Sequence, residues 1–249
     1  MCREKQRLVW HLLMACHLKL DSALAIIHTY LINWLKNCIQ EHHLPMKLTA
    51  KLTAKPTNSS GYERTKTNNE GKEIMPILPY KGIWPTIAED VFIAPGAMVI
   101  GNVTIHEGAS IWYNTVIRAD AAPIVIGRRT NIQDNCTLHV DADAPLTIGD
   151  ECTIGHSAVV HGATLGNRVL VGMNAVVLSH ARIGSHTIIG ACSLVGEHKS
   201  IPGGVLALGV PARVKRDLTD AEQHQLLTSA AGYCQRAIEH RESLEGVEF

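Results

Sequence analysis

The 249 residues carry 23 Lys and Arg against 23 Asp and Glu, a formal charge of zero that gives nucleic acid or an anionic membrane no overall electrostatic footing. Hydrophobic residues make up 46% but aromatics only 4%, with 20 glycines, which argues against a core built on Phe, Tyr and Trp and for a narrow one of Ile, Val and Leu. The seven cysteines (2, 16, 38, 136, 152, 192 and 234) include no C-x-x-C pair, so neither a dense disulfide framework nor a zinc-finger spacing is present, and a cytoplasmic protein is expected.

The charge is unevenly spread. Residues 1–74 hold 11 Lys and Arg and 6 Asp and Glu, and the remainder 12 and 17, so two differently composed segments meet near residue 74. The first 44 residues read as one or two amphipathic helices, with Leu24, Ile27, Leu31 and Leu35 at helical spacing. Lys19, Asp21 and Lys36 interrupt the apolar stretch from Leu8 to Ile39, and no run approaches the roughly 20 apolar residues of a membrane span. No short apolar core ends in a small-residue cleavage site either. Lys47 to Glu73 reads as a polar linker or disordered segment. Met75-Pro76-Ile77 opens a new style of sequence. Met75 is expected to be the true start, with residues 1–74 an overextended reading frame; a regulatory or docking extension is the alternative.

From Ile87 an aliphatic recurs every sixth residue: Ile87, Ile93, Val99, Ile105, Ile111 and Ile117. After a three-residue insertion the phase resumes at Ile126, Ile132 and Leu138, and after four more residues at Ile148, Ile154 and Val160. One step of five leads to Leu165, then Val171, Val177, Ile183, Ile189, Val195 and Ile201. Six is not a multiple of the 3.6-residue helical turn, so no α-helix yields this pattern. It is the mark of a parallel β-helix, in which each repeat supplies one short strand and a turn. Gly and Asn are expected at positive-φ corners. The repeat resembles that of the hexapeptide-repeat proteins. The resemblance implies a left-handed helix with three hexapeptides in each triangular rung, occupying residues 75–216.

Gly209-Val210-Pro211-Ala212 ends the repeat. Thr219-Asp220-Ala221-Glu222 forms a capping-box pattern, and Leu226, Leu227, Ala230, Cys234 and Ile238 follow at helical spacing. A C-terminal helix within residues 217–249, packed on the β-helix by that stripe, is expected.

The register sorts the histidines. With three faces per rung, Ile117, Leu138 and Val160 start strands on one face in successive rungs, so Arg118, His139 and His161 form a column. Rungs lie about 4.8 Å apart, close enough for two imidazoles to converge on one ion with bonds of about 2.0–2.1 Å. His156 falls on the adjacent face, one rung after Gln133, and points away from that pair. Three chains around a three-fold axis could bring His156 of one to His139 and His161 of its neighbour. Three histidines with an open fourth position form a catalytic zinc arrangement. His106, His180, His186 and His198 lack column partners and are expected to be exposed turn residues.

Arg118-Ala119-Asp120, Asn131-Ile132-Gln133-Asp134, His139 and Gly155-His156-Ser157-Ala158-Val159-Val160-His161-Gly162 together closely resemble the γ-class carbonic anhydrase family, over roughly residues 76 to 225. The resemblance implies a homotrimer with metal sites between subunits, His139 and His161 from one chain and His156 from the next. Zinc is the implied ion, with iron or cobalt in relatives. It further implies that Gln133 and Asn131 hydrogen-bond metal-bound water or bicarbonate, and that Arg118, Asp120 and Asp134 form a salt-bridge network across the interface. The implied reaction is reversible hydration of CO₂ to bicarbonate by a metal-activated hydroxide, available because the bound water has its pKa lowered to about 7.

The sequence departs from the family's active members at two places. They carry a glutamate just after the R-x-D aspartate and another in an acidic loop, where this chain has Ala121 and Ala142, with Asp141 and Asp143 nearby. The resemblance is thus to a shortened type whose hydratase activity is weak, conditional or unshown. Two other readings compete: an acyl-CoA-dependent transferase using one histidine as general base, against which the short insertions argue, and a non-catalytic metal-binding or assembly protein.

Overall fold

The computed structural model describes residues 66–67, 73–74 and 76–245. The helices expected in the first 44 residues and Met75 as a start site lie outside the described residues. Within the stretch read as a linker, Lys66–Thr67 pairs antiparallel with Glu73–Ile74.

The six-residue aliphatics stack as the period demands. Ile93 lies over Ile111, Ile132, Ile154, Val171 and Ile189 in one column. Val99, Ile117, Leu138, Val160, Val177 and Val195 form a second. Ile87, Ile105, Ile126, Ile148, Leu165, Ile183 and Ile201 form a third. Each column lines one face of a parallel β-solenoid, and the three meet in a single core. Seven parallel strands, from Phe92–Ile93 to Val205–Leu208, mark seven coils along one face. The core is thin but dry: Ile111, Ile117, Ile132, Leu138, Ile154 and Val171 are all fully buried. Each such side chain contributes about 1.5–3 kcal/mol over an exposed one, which lets strands of two or three residues persist.

Gly and Asn take positive-φ corners as expected, at Gly96, Gly108, Asn114, Asn135 and Asn174 among others, but other residue types take them too. Positive φ falls on Asn114, Asn135, Ser157 and Asn174 along one edge, and on His180, His186 and His198 elsewhere. The glycines that follow the aliphatics serve another purpose. A Cβ on Gly155 would lie 2.9 Å from Val171 O, and one on Gly172 2.4 Å from Ala191 N. They are glycine because adjacent coils leave no room for a methyl group.

After the last parallel strand, Arg213–Asp217 returns antiparallel to Val205–Leu208. The helix Asp220–Ser243 follows, with Thr219 as N-cap and Glu222 closing the capping box. Glu222 also accepts from Arg216 at 2.7 and 2.8 Å. The helix lies on the first coil face, where the outward neighbours of the core aliphatics are aromatic. Phe92 and Trp112 sit 5.4 Å apart, and Tyr233 meets Trp112 edge-on at 5.4 Å. Its buried residues are Leu226, Ala230 and Ala237, whereas Leu227 and Ile238 are exposed, so the seated face is rotated slightly from the predicted stripe. No helix among the described residues is long and apolar enough to cross a membrane.

Candidate metal centre

Strands Thr137–His139 and Val159–His161 pair in parallel, placing His139 directly opposite His161. His139 Nδ1 lies 2.9 Å from His161 Nε2, with the ring planes inclined at 63°. Each ring's second nitrogen is held by an acceptor. His139 Nε2 is 2.9 Å from Asp120 Oδ1, and Arg118 donates to the other oxygen of that carboxylate. Burial pushes the Asp120 carboxyl up, but the hydrogen bond from His139 and the charge of Arg118 outweigh it and leave its pKa below the usual value. His161 Nδ1 is 2.9 Å from Ser179 Oγ, whose own hydroxyl donates to Asp141 Oδ2 at 2.7 Å.

The proton positions follow from those partners. A carboxylate accepts only, so His139 carries its hydrogen on Nε2. Ser179 has spent its hydrogen on Asp141, so it accepts from His161 Nδ1. Those partners leave the two facing nitrogens 2.9 Å apart with no hydrogen of their own, so a cation belongs between them: a shared proton in the metal-free protein, or a metal ion in its place. Two ligands on a tetrahedral zinc with bonds of 2.0–2.1 Å sit about 3.3 Å apart, so a small opening admits one. A ring nitrogen tied to a carboxylate or hydroxyl behind each donor is the usual brace of a metal-binding histidine.

His156 stands on the adjacent face, between Gly155 and the positive-φ Ser157. Its Nδ1 lies 2.7 Å from Asp134 Oδ2, and the side chain is 43% exposed, so Nε2 is the ring nitrogen that Asp134 does not engage. Its backbone N–H donates to Gln133 Oε1 at 3.2 Å. Asp134 also takes the Tyr113 N–H at 3.2 Å. A single chain thus brings His139 and His161 together but not His156. Among the described residues no three His, Cys, Asp or Glu groups converge.

Of the expected salt-bridge network, Arg118 and Asp120 pair within the chain while Asp134 engages His156 instead. Gln133 and Asn131 are both buried and bonded to each other, Gln133 Nε2 to Asn131 Oδ1 at 3.1 Å. Asn131 spends both amide hydrogens internally, on Cys152 O and Thr153 Oγ1. Ser179 was not anticipated; the pairing of Val160 with Val177 puts Leu178 level with His161 and Ser179 one position further on. Nor were the partners of His180, which stacks on His198 at 4.6 Å and lies 3.6 Å from Asp143. The sequence reading, which left both histidines without column partners, is corrected there. His180 and His198 each lie three positions beyond a core aliphatic, Val177 and Val195, which are themselves paired.

The chain matches the family model described as bacterial transferase hexapeptide (six repeats) at residues 85–119 and 162–197, which places it in the hexapeptide-repeat class. It is 48% identical over 150 residues to a carbonic anhydrase of Geobacillus kaustophilus, an overlap of 60% of this chain and 82% of that one. To the mitochondrial gamma carbonic anhydrase 2 of Arabidopsis thaliana it is 41% identical over 174 residues, 66% of this chain and 63% of that protein. Among solved structures, a hexapeptide transferase family protein from Anaplasma phagocytophilum aligns with a TM-score of 0.64 and 39% identity, covering 66% of this chain and 96% of that one. The chain belongs to the γ-class carbonic anhydrase-like family.

Proposed function

We propose that this chain catalyses the reversible hydration of CO₂ to bicarbonate, using a metal ion held between subunits of a homotrimer by His139 and His161 of one subunit and His156 of the next. The observation that carries the reading is the pair of facing lone pairs on His139 and His161, each braced from behind by an acceptor. His156 offers a third nitrogen of the same kind, braced by Asp134 on a partly exposed side chain. Zinc suits three imidazoles, with iron or cobalt as alternatives. When bound, the metal activates water as a nucleophile near neutral pH.

The chain's own residues do the rest. Asp120 and the Ser179–Asp141 pair fix ring orientation and tautomer, so binding asks only for a small opening between the two rings. Gln133 turns its carbonyl to the His156 N–H and one amide hydrogen to Asn131, which leaves one N–H for an oxygen of bicarbonate. Arg118, half-exposed in the single chain, would join Asp134 of the neighbouring subunit as well as its own Asp120 in the trimer.

A transferase reading has support in the hexapeptide transferase neighbour. It requires a histidine free to accept a proton from an acceptor substrate, and His139 and His161 are committed to each other and to their braces. The 140–145 insertion is closed by a bridge between Asp141 and Ala144 rather than extended into an acceptor-binding loop. Metal analysis of protein purified without chelator, with stopped-flow CO₂ hydration on zinc- and iron-loaded samples, tests the proposal. About one metal per subunit and hydration lost in His161→Ala is the expected result. Metal bound without hydration would leave a non-catalytic metal-binding protein, and tight CoA binding with acetyl transfer would replace the proposal.

A further inference from the structure

Donor and acceptor accounting behind Gln133 runs unbroken from the turn of His156 to the C-terminal helix. Two backbone groups anchor it, and neither can change role. Cys152 O only accepts, so the Asn131 atom 3.2 Å away must be the amide nitrogen. The His156 N–H only donates, so the Gln133 atom at 3.2 Å must be the carbonyl oxygen. These two assignments agree where the side chains meet, Gln133 Nε2 donating to Asn131 Oδ1 at 3.1 Å. The second Asn131 hydrogen goes to Thr153 Oγ1 at 3.0 Å. The Thr153 hydroxyl, having accepted there, has its hydrogen free for Ser229 Oγ on the helix at 3.3 Å. Asn131 is 1%, Gln133 5% and Thr153 6% exposed, so water does not substitute for the links among these three.

We infer that Thr153 and Ser229 are positioning residues: through Asn131 they lock the Gln133 carboxamide so that it presents an N–H, never its carbonyl, to the site. The helix is thereby part of the site's machinery as well as a cover for the coil face. A locked donor recognises a ligand oxygen with a lone pair, which bicarbonate offers. Asn131 acts in this relay from behind Gln133, with no hydrogen left for a ligand.

The relay has a readout that needs no metal, because Gln133 Oε1 is the acceptor that protects the His156 amide. Hydrogen exchange on the full chain in Thr153→Val should show that amide exchanging about tenfold faster, the equivalent of one net hydrogen bond. The Thr153 amide, which donates to Val169 O, should be unchanged. Thr153→Ser should restore protection, and Ser229→Ala should show a smaller increase of about threefold. Only the second arm rests on the carbonic anhydrase reading: in zinc-loaded protein Thr153→Val should raise the bicarbonate KM about five- to tenfold with a smaller change in kcat. Unchanged His156 exchange in folded Thr153→Val overturns the relay. Should that variant not fold, unchanged exchange in Ser229→Ala does so. Wild-type protein without metal or hydration would overturn the functional reading, while the exchange arm still decides the relay.

Discussion

Two stretches of the same solenoid obey different rules. From Leu165 to Ile201 every step between core aliphatics is six residues. From Ile117 to Leu165 three steps depart from six: nine residues to Ile126, ten from Leu138 to Ile148 and five from Val160 to Leu165. All three departures fall on one corner, between the second and third core columns, in successive coils. Arg118, Asp120, His139, Asp141 and His161 are on that corner. The regular coils show what the backbone does when only packing matters. The irregular corner shows where the chain gave up the six-residue spacing, which lets long side chains from three coils meet at one point.

The comparison predicts that function and stability separate by region. The largest effect is expected from His161→Ala, which removes one of two facing ligands and should weaken zinc binding by about 10³-fold, read by competition with a chelator. Its thermal midpoint without metal should stay near that of the wild type, since the strand's backbone pairing remains. Ile189→Ala, in the regular coils and fully buried, should do the reverse. It opens a cavity costing about 2–5 kcal/mol in denaturant unfolding, with metal stoichiometry unchanged. Equal losses of metal and stability in both variants would erase the distinction between the two regions.

How much of this was legible beforehand depends on which force set each feature. Core columns were readable residue by residue, because burial selects one aliphatic per coil and the period fixes its neighbours. The opposition of His139 and His161 followed by counting one position further. The braces did not follow so simply. Asp120 and Asp141 lie inside the insertions, where the count is lost, and Ser179 comes from a regular coil whose polar positions carry no periodic signal. The glycines divide for a related reason: Gly96 and Gly108 take positive φ as expected, and Gly155 and Gly172 do not. Sequence shows where a glycine is but not whether it answers a dihedral or a close approach, and at Gly155 and Gly172 it is the approach. The helix stripe was displaced because aromatics on the coil face, Trp112 above all, determine which side of the helix seats.

Among the braces, Asp120 should matter most, being the direct acceptor for His139. Asp120→Asn keeps the shape but lets the amide present a hydrogen where the ring needs an acceptor. Zinc affinity should fall about 10- to 100-fold, the usual range for losing such a partner. Titrating His139 by NMR in the metal-free protein should show its preferred tautomer lost. An unchanged tautomer would mean that the amide oxygen still accepts from His139 and that the carboxylate's charge is not required.

The smallest effect is expected at Ser179, although its contact with His161 is as short as that of Asp120 with His139, both at 2.9 Å. The reason is redundancy. Asp141 Oδ2 already lies 3.6 Å from His161 Nδ1, beyond hydrogen-bond range but in line to replace the hydroxyl. In Ser179→Ala the carboxylate, exposed and on the insertion, can close that gap and take the ring hydrogen directly. Zinc affinity should then fall only about two- to fivefold, well below the loss of a sole partner. Asp141→Asn alone should also be mild, because Ser179 still accepts from the ring. The double variant should lose more than the two singles combined, as groups sharing one partner do. Additive losses would show instead that Ser179 and Asp141 support His161 independently, and that the irregular corner holds its second histidine no more flexibly than its first.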